Sequence, residues 1–177
     1  MPRPKDVVTD RPKILFVGIN PGLVSGKVGH HFAGKGNPFY QLLHAAKLIP
    51  EEIVAEQDGR LVEWRYALIN LCQRPTKEAS ELSKDELLRG RKRVIKKAKE
   101  MKPELVALVG VTLYPILCKQ GRGHKLEMGP GAKSETIGDA RVFVLPNPSG
   151  LNVSYPTFDA KLVWFRKLTE YLDVRGD

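Results

Sequence analysis

The chain has 177 residues with 29 Lys and Arg against 20 Asp and Glu, a formal charge of +9, which suits one α/β domain whose surface field attracts polyanions. Nucleic acid heads those partners, although ribosomal and membrane-surface proteins share such a charge. No apolar leader or bilayer-length run occurs, and Cys72 and Cys118 are too few for a zinc or iron-sulfur ligand set, so the expectation is a cytoplasmic protein with no membrane partner, no metal and no cofactor.

Residues 1–177 read as a single domain, with the charged residues 1–12 as a flexible N-terminal tail and a monomer as the default state. Ile14 to Ile19 is the first of four short aliphatic runs that predict strands. After Asn37 and Pro38, the residues Phe39, Leu42, Leu43, Ala46 and Lys47 recur at helical spacing. Ala67 to Leu71 is the second strand. Ser83 then caps a helix, with Glu86 as its capping-box partner, and Pro103 stops that helix after about Lys102. Leu105 to Val109 is the third strand, a short helix follows Gly110, and Val142 to Leu145 is the fourth strand. The last helix spans Phe158 to Leu172 with Leu162, Phe165, Leu168 and Leu172 as its apolar stripe.

Nearly continuous apolar strands fit a sheet buried on both faces. Their alternation with helices predicts a three-layer α/β/α sandwich around a central, mainly parallel four-stranded sheet. Ligands of such folds bind beyond the carboxyl ends of the strands. Four segments leave those ends: Gly18 to Asn37, Leu71 to Thr76, Gly110 onward, and Pro146 to Ser154. The first and last are richest in Gly, Pro, Asn and His and are expected to meet.

Each motif there has a plain reading beside a chemical one. Pro21 steers Asn20 away from helix and holds it in a rigid turn, yet Asn-Pro-Gly is also ordinary turn chemistry. A phosphate loop in GLVSGKV fails, because the spacing is one residue short and Val stands where a magnesium-binding hydroxyl is needed. In GHHFAGKGNPF, Phe32 is either a stacking platform for a flat ligand or a core plug. His30 and His31 are either solvated or near phosphate, and His44 and His124 lack ligand spacing. Ser149 does not sit in a nucleophile elbow. The helix from Arg89 to Lys102 is basic and amphipathic, a solvated face more than a phosphate reader. Lys27, Lys35, Arg74 and the Lys119 to Lys125 loop are better placed for phosphates.

Taken together, GINPGLVSGKVGHHFAGKGNPF, INLCQRPT and LPNPSGLN closely resemble the mismatch-specific uracil and thymine DNA glycosylases of the uracil-DNA glycosylase superfamily, over Lys13 to about Asn152. The resemblance implies that Asn20 positions the attacking water, that Phe32 stacks on the extruded base, and that the backbone around Ile19 and Phe32 binds the pyrimidine edge. It also implies Asn70 as a second base-reading side chain and His31 as a further base-binding residue. Leu151 is then the wedge entering the duplex, with Ser149, Gly150 and Asn152 toward the opposite strand. Asn152 and Val153 replace the Ser and Arg of the bacterial pattern, and the two histidines match the vertebrate one, so the chain mixes both. Two cysteines exclude the iron-sulfur branches.

The implied partner is double-stranded DNA bearing G·U or G·T mismatches, because a mismatched base costs less to flip. Two rivals from other classes remain. A non-catalytic nucleic-acid-binding module explains the charge and the Leu151 loop, and a small-molecule nucleotide hydrolase explains the pocket.

Overall fold

Alternate residues of each central strand face different cores, which is why the strands read as unbroken apolar runs. The structure is a computed structural model and describes residues 3–118 and 125–175. In β1 (Ile14–Gly18), Ile14 and Phe16 enter one apolar layer, while Leu15 and Val17 enter the other. The first layer takes Phe39, Leu42 and Leu43 of α2 (Phe39–Ala45) and Leu162, Phe165 and Leu168 of α5 (Phe158–Arg175). The second takes Val94 and Ala98 of α3 (Lys84–Met101) and Leu113 and Leu117 of α4 (Leu113–Leu117). The three layers expected from the sequence are therefore present.

The sheet has five strands rather than four. β2 (Tyr66–Asn70), β3 (Leu105–Val109) and β5 (Ala140–Leu145) join β1 in parallel, and β4 (Gly131–Ile137) adds antiparallel to β5, giving the order β2-β1-β3-β5-β4. β4 escapes an apolar search because its sequence is GAKSETI and it alternates between half-buried and exposed positions. Its charged residues and a register shift between Lys133 and Thr136 suit a sheet edge that must not recruit another strand.

The expected helices form, α3 with its capping box: Glu86 N–H donates to Ser83 Oγ (3.1 Å) and Ser83 N–H to Glu86 Oε2 (2.7 Å). Three short elements were not expected: α1 (Leu23–Val28) and the 3₁₀ segments Ala55–Trp64 and Ala79–Glu81. α1 occupies the stretch that failed as a phosphate loop.

Residues 3–12, expected as a flexible tail, are docked instead. Val7 exchanges two backbone hydrogen bonds with Leu68 (2.9 Å each), and Asp6 pairs with Arg93. The reason is that β2 is a sheet edge, and Val7 covers part of it. No helix among the described residues is long and apolar enough to cross a membrane.

Candidate active site

Where β1 ends, its chain is laced to the exit of β2. Leu71 N–H donates to Gly18 O (2.8 Å), Cys72 N–H to Ile19 O (2.9 Å) and Thr76 N–H to Pro21 O (3.1 Å). Asn20 therefore stands in a turn braced from one side. Its Nδ2 donates to the Arg74 carbonyl (3.0 Å) and to Thr76 Oγ1 (2.7 Å). Thr76 is buried and spends its own proton on Glu78 O (2.8 Å), so its oxygen can only accept from Asn20. Both N–H groups of the amide are thus committed. Oδ1, an acceptor, is the atom Asn20 has left for chemistry.

Arg74 braces Asn20 through its carbonyl. Its guanidinium, expected to touch phosphate, is taken by Glu86 (Nε to Oε1 2.6 Å, Nη2 to Oε2 3.0 Å) and by Glu81 O (3.1 Å). That fork holds the Glu86 carboxyl down at about 2, helped by the Ser83 N–H. A charge so paired is a fastener between the β2 exit and the start of α3.

Phe32 and Asn70 converge over Gly18, and His31 meets Asn70. Phe32 sits at φ +53°, a conformation uncommon for a bulky residue, and its half-buried ring stacks on Phe39 at 4.1 Å between centroids. It is therefore packed against the core. The loop is held by Ser25 Oγ, which accepts from Ala33 N–H (2.9 Å), and by Asp58, which accepts from His31 N–H (2.9 Å) and meets His30 Nδ1 (3.2 Å).

Every polar group of His31 is engaged. Its carbonyl accepts from Tyr40 OH (2.7 Å) and its Nε2 faces Lys5 O (2.8 Å). Since a carbonyl can only accept, Nε2 carries the proton, and Nδ1 accepts from Asn70 Nδ2 (3.4 Å). Burial holds His31 below its ordinary pKa, so this neutral form persists. His31 thus meets Asn70 through Nδ1. Asn70 is itself buried, and its Oδ1 lies over Gly18. The backbone around Ile19, expected near the pyrimidine edge, is held by Cys72 N–H, which donates to the Ile19 carbonyl (2.9 Å).

The second loop arrives from β5. Asn147 Oδ1 accepts from Ser149 N–H (2.9 Å), and Ser149 Oγ accepts from Leu151 N–H (3.2 Å). Asn152 donates to Asn147 O (2.9 Å), and its Oδ1 accepts from Ser154 N–H (3.0 Å) and Tyr155 N–H (3.2 Å). Its side chain braces the loop from within. The product of this bracing is Leu151, presented 87% exposed. Gly150 is exposed, and a Cβ there would meet nothing within 4 Å.

Both loops line one cleft of about 440 Å³, whose walls include Asn20, Phe32, Asn70, Ser149 and Leu151. Lys77 also lines it, a cation that the sequence reading missed; Lys27 and Lys35 are exposed but not in the wall. A larger cavity, about 860 Å³, opens beside Lys13, Arg65 and Glu104 ahead of the strands and contains none of the motif residues. The Lys119 to Lys125 loop and His124 fall almost wholly outside the described residues; only Lys125 is described, and it is exposed. Among the described residues, no group of three or more His, Cys, Asp and Glu could hold a metal.

The family model of the uracil DNA glycosylase superfamily matches residues 5–173. The chain belongs to that superfamily. A candidate uracil DNA glycosylase from Methanosarcina acetivorans, solved in solution by NMR, shares the fold: the TM-score is 0.60 over 95% of this chain and 98% of that one, at 22% identity. The superfamily consists of DNA glycosylases, so the partner class is DNA and the bond at issue is N-glycosidic. Thr76, Asp58 and Lys77 carried no signal that separates them from ordinary polar loop residues. Thr76 could have been suspected only from its position beyond a strand end.

Proposed function

We propose that this chain is a monofunctional DNA glycosylase that removes uracil, and thymine, from G·U and G·T mismatches in double-stranded DNA and leaves an abasic site. The observation that carries the reading is the fixed polarity of Asn20: both amide N–H groups are spent on Arg74 O and Thr76 Oγ1, so Oδ1 faces its task as an acceptor. An acceptor there can orient a water without deprotonating it strongly. Water oxygen bonds to the sugar carbon as the C–N bond breaks, the pyrimidine departs as an anion, and the water proton passes to solvent or to the departing base.

The rest of the cleft supports this role. A flipped pyrimidine stacked on Phe32 gains about 1 to 3 kcal/mol. The Oδ1 and second N–H of Asn70 match the N3–H and a carbonyl of uracil or thymine. Leu151 fills the vacated stack, and flipping costs a few kcal/mol, less at a mismatch. Lys77, with Lys27 and Lys35, offers charge to the strained phosphates.

The test is incubation with labelled duplexes containing G·U, G·T and A·U, followed by alkali. Strand breaks at the G·U position, faster for 5-halogenated uracil because its anion leaves more easily, support the reading. A mobility shift without breaks favours a binding module, and neither result favours a small-molecule hydrolase. Borohydride should trap no adduct; a trapped one assigns a lyase step to an amine such as Lys77.

A further inference from the structure

Outside the cleft, the segment ahead of β1 enters the same hydrogen-bond network. Lys5 O accepts from His31 Nε2 (2.8 Å). Its neighbour Asp6 pairs through both carboxylate oxygens with Nη2 of Arg93, and Nη1 of Arg93 donates to the Asn70 carbonyl (2.6 Å). Val7 then clamps Leu68, two residues before Asn70. The Arg93 and Asp6 side chains are 22% and 18% exposed, so the pair is shielded more than a surface ion pair. The contacts close a ring from Arg93 to Asn70, His31, Lys5, Asp6 and back to Arg93.

A primary amide can lie with its oxygen and nitrogen exchanged at almost no cost in shape, so only its neighbours decide its polarity. Here the decision begins at a carbonyl. Lys5 O requires N–H at Nε2, which makes Nδ1 of the neutral ring an acceptor, which draws Nδ2 of Asn70 toward His31. Oδ1 of Asn70 is left on the Gly18 side. Uracil and thymine present N3–H between two carbonyls, whereas cytosine presents an unprotonated N3 beside an amino group. A reversed Asn70 would therefore suit the wrong pyrimidine.

We infer that the N-terminal strap, Lys5 and Asp6 held by Arg93, is a specificity-positioning element: it sets the amide polarity of Asn70 and with it the choice of keto over amino pyrimidine. The inference rests on the glycosylase reading for its consequence, though not for its geometry. The strap touches no reacting atom. Its effect travels through Lys5 O and His31.

The experiment uses the full chain with Asp6→Ala and Arg93→Lys, and Asp6→Asn as the variant that keeps an acceptor for Arg93. Two quantities are read: the single-turnover rate on G·U and G·C duplexes, and the ¹⁵N shifts of the His31 ring. Wild type and Asp6→Asn should show the Nε2–H tautomer. Asp6→Ala and Arg93→Lys should show mixed tautomers, a G·U rate lower by roughly ten- to a hundredfold, and a smaller ratio of uracil to cytosine cleavage with unchanged DNA affinity. If Asp6→Ala does not fold, Arg93→Lys carries the comparison. A pure Nε2–H tautomer in the folded variants, whatever their rates, overturns the inference. If wild type cleaves no duplex, the glycosylase reading fails while the tautomer still decides whether the strap sets the polarity.

Discussion

The side-chain oxygen of Asn70 lies 2.6 Å from the point where a Cβ on Gly18 would stand, and the Phe32 ring lies 3.4 Å from that same point. Gly18 is thus the floor on which the Phe32 ring and the Asn70 amide meet. Its requirement is steric room, since its backbone is that of an ordinary buried strand residue.

Gly18→Ala should consequently separate stability from activity. The clash falls on the end of one short side chain, so the fold tolerates it at about 1 to 3 kcal/mol. Asn70 must move, and a displacement near 1 Å costs roughly a hundredfold in rate. Thermal melting and single-turnover cleavage of a G·U duplex, measured together, check this; a variant with wild-type rate would remove Asn70 from base reading.

Thr76→Val should release one of the two anchors of Asn20. The lost hydrogen bond leaves an amide N–H seeking a new acceptor, worth about 1 to 3 kcal/mol, or roughly ten- to a hundredfold in rate. Thr76→Ser keeps the hydroxyl and should retain most of the activity. Equal rates for the Val and Ser variants would show that Thr76 does not orient Asn20.

The pH profile follows from His31. Burial is the largest influence and lowers its pKa from the ordinary 6.5, while the Lys5 carbonyl pulls the other way. Because the folded value is depressed, the neutral ring contributes stability that is fully present above about 6.5 and is lost as pH falls through the folded value. Protonation also places N–H on Nδ1, against the amide N–H of Asn70. Cleavage should hold steady through pH 6.5 and fall only in more acid solution. A decline that starts above that point would contradict a neutral His31.

Leu151→Ala should leave stability untouched, because the side chain is 87% exposed. Its effect belongs to flipping, so the rate on A·U should drop more than the rate on G·U, whose base is already loosely paired. Comparing the two substrates under single turnover checks the wedge; equal losses on both would assign Leu151 a general binding role.

The parts of this architecture that rest on chemistry with a period were readable in the sequence. Ile14 to Val17 alternate between two cores, Ser83 and Glu86 cap α3, and Asn20 and Leu151 come together because they follow parallel strands. β4 was hidden because an exposed edge strand has no apolar signature. The N-terminal segment was hidden for a different reason: its charge reads as solvation, and only the fold reveals that Arg93 is there to receive Asp6. The partners of Arg74 and Asn152 were not legible because a side chain's partner is a three-dimensional fact. Both residues sit where DNA contacts were expected and spend their polar groups on the protein itself.

Asn20→Ala tests the account most directly. The variant should bind a G·U duplex as wild type does while its single-turnover excision, read as alkali-sensitive breaks, falls by about two orders of magnitude or more. Undiminished excision by a folded Asn20→Ala protein would contradict the central role given to that amide.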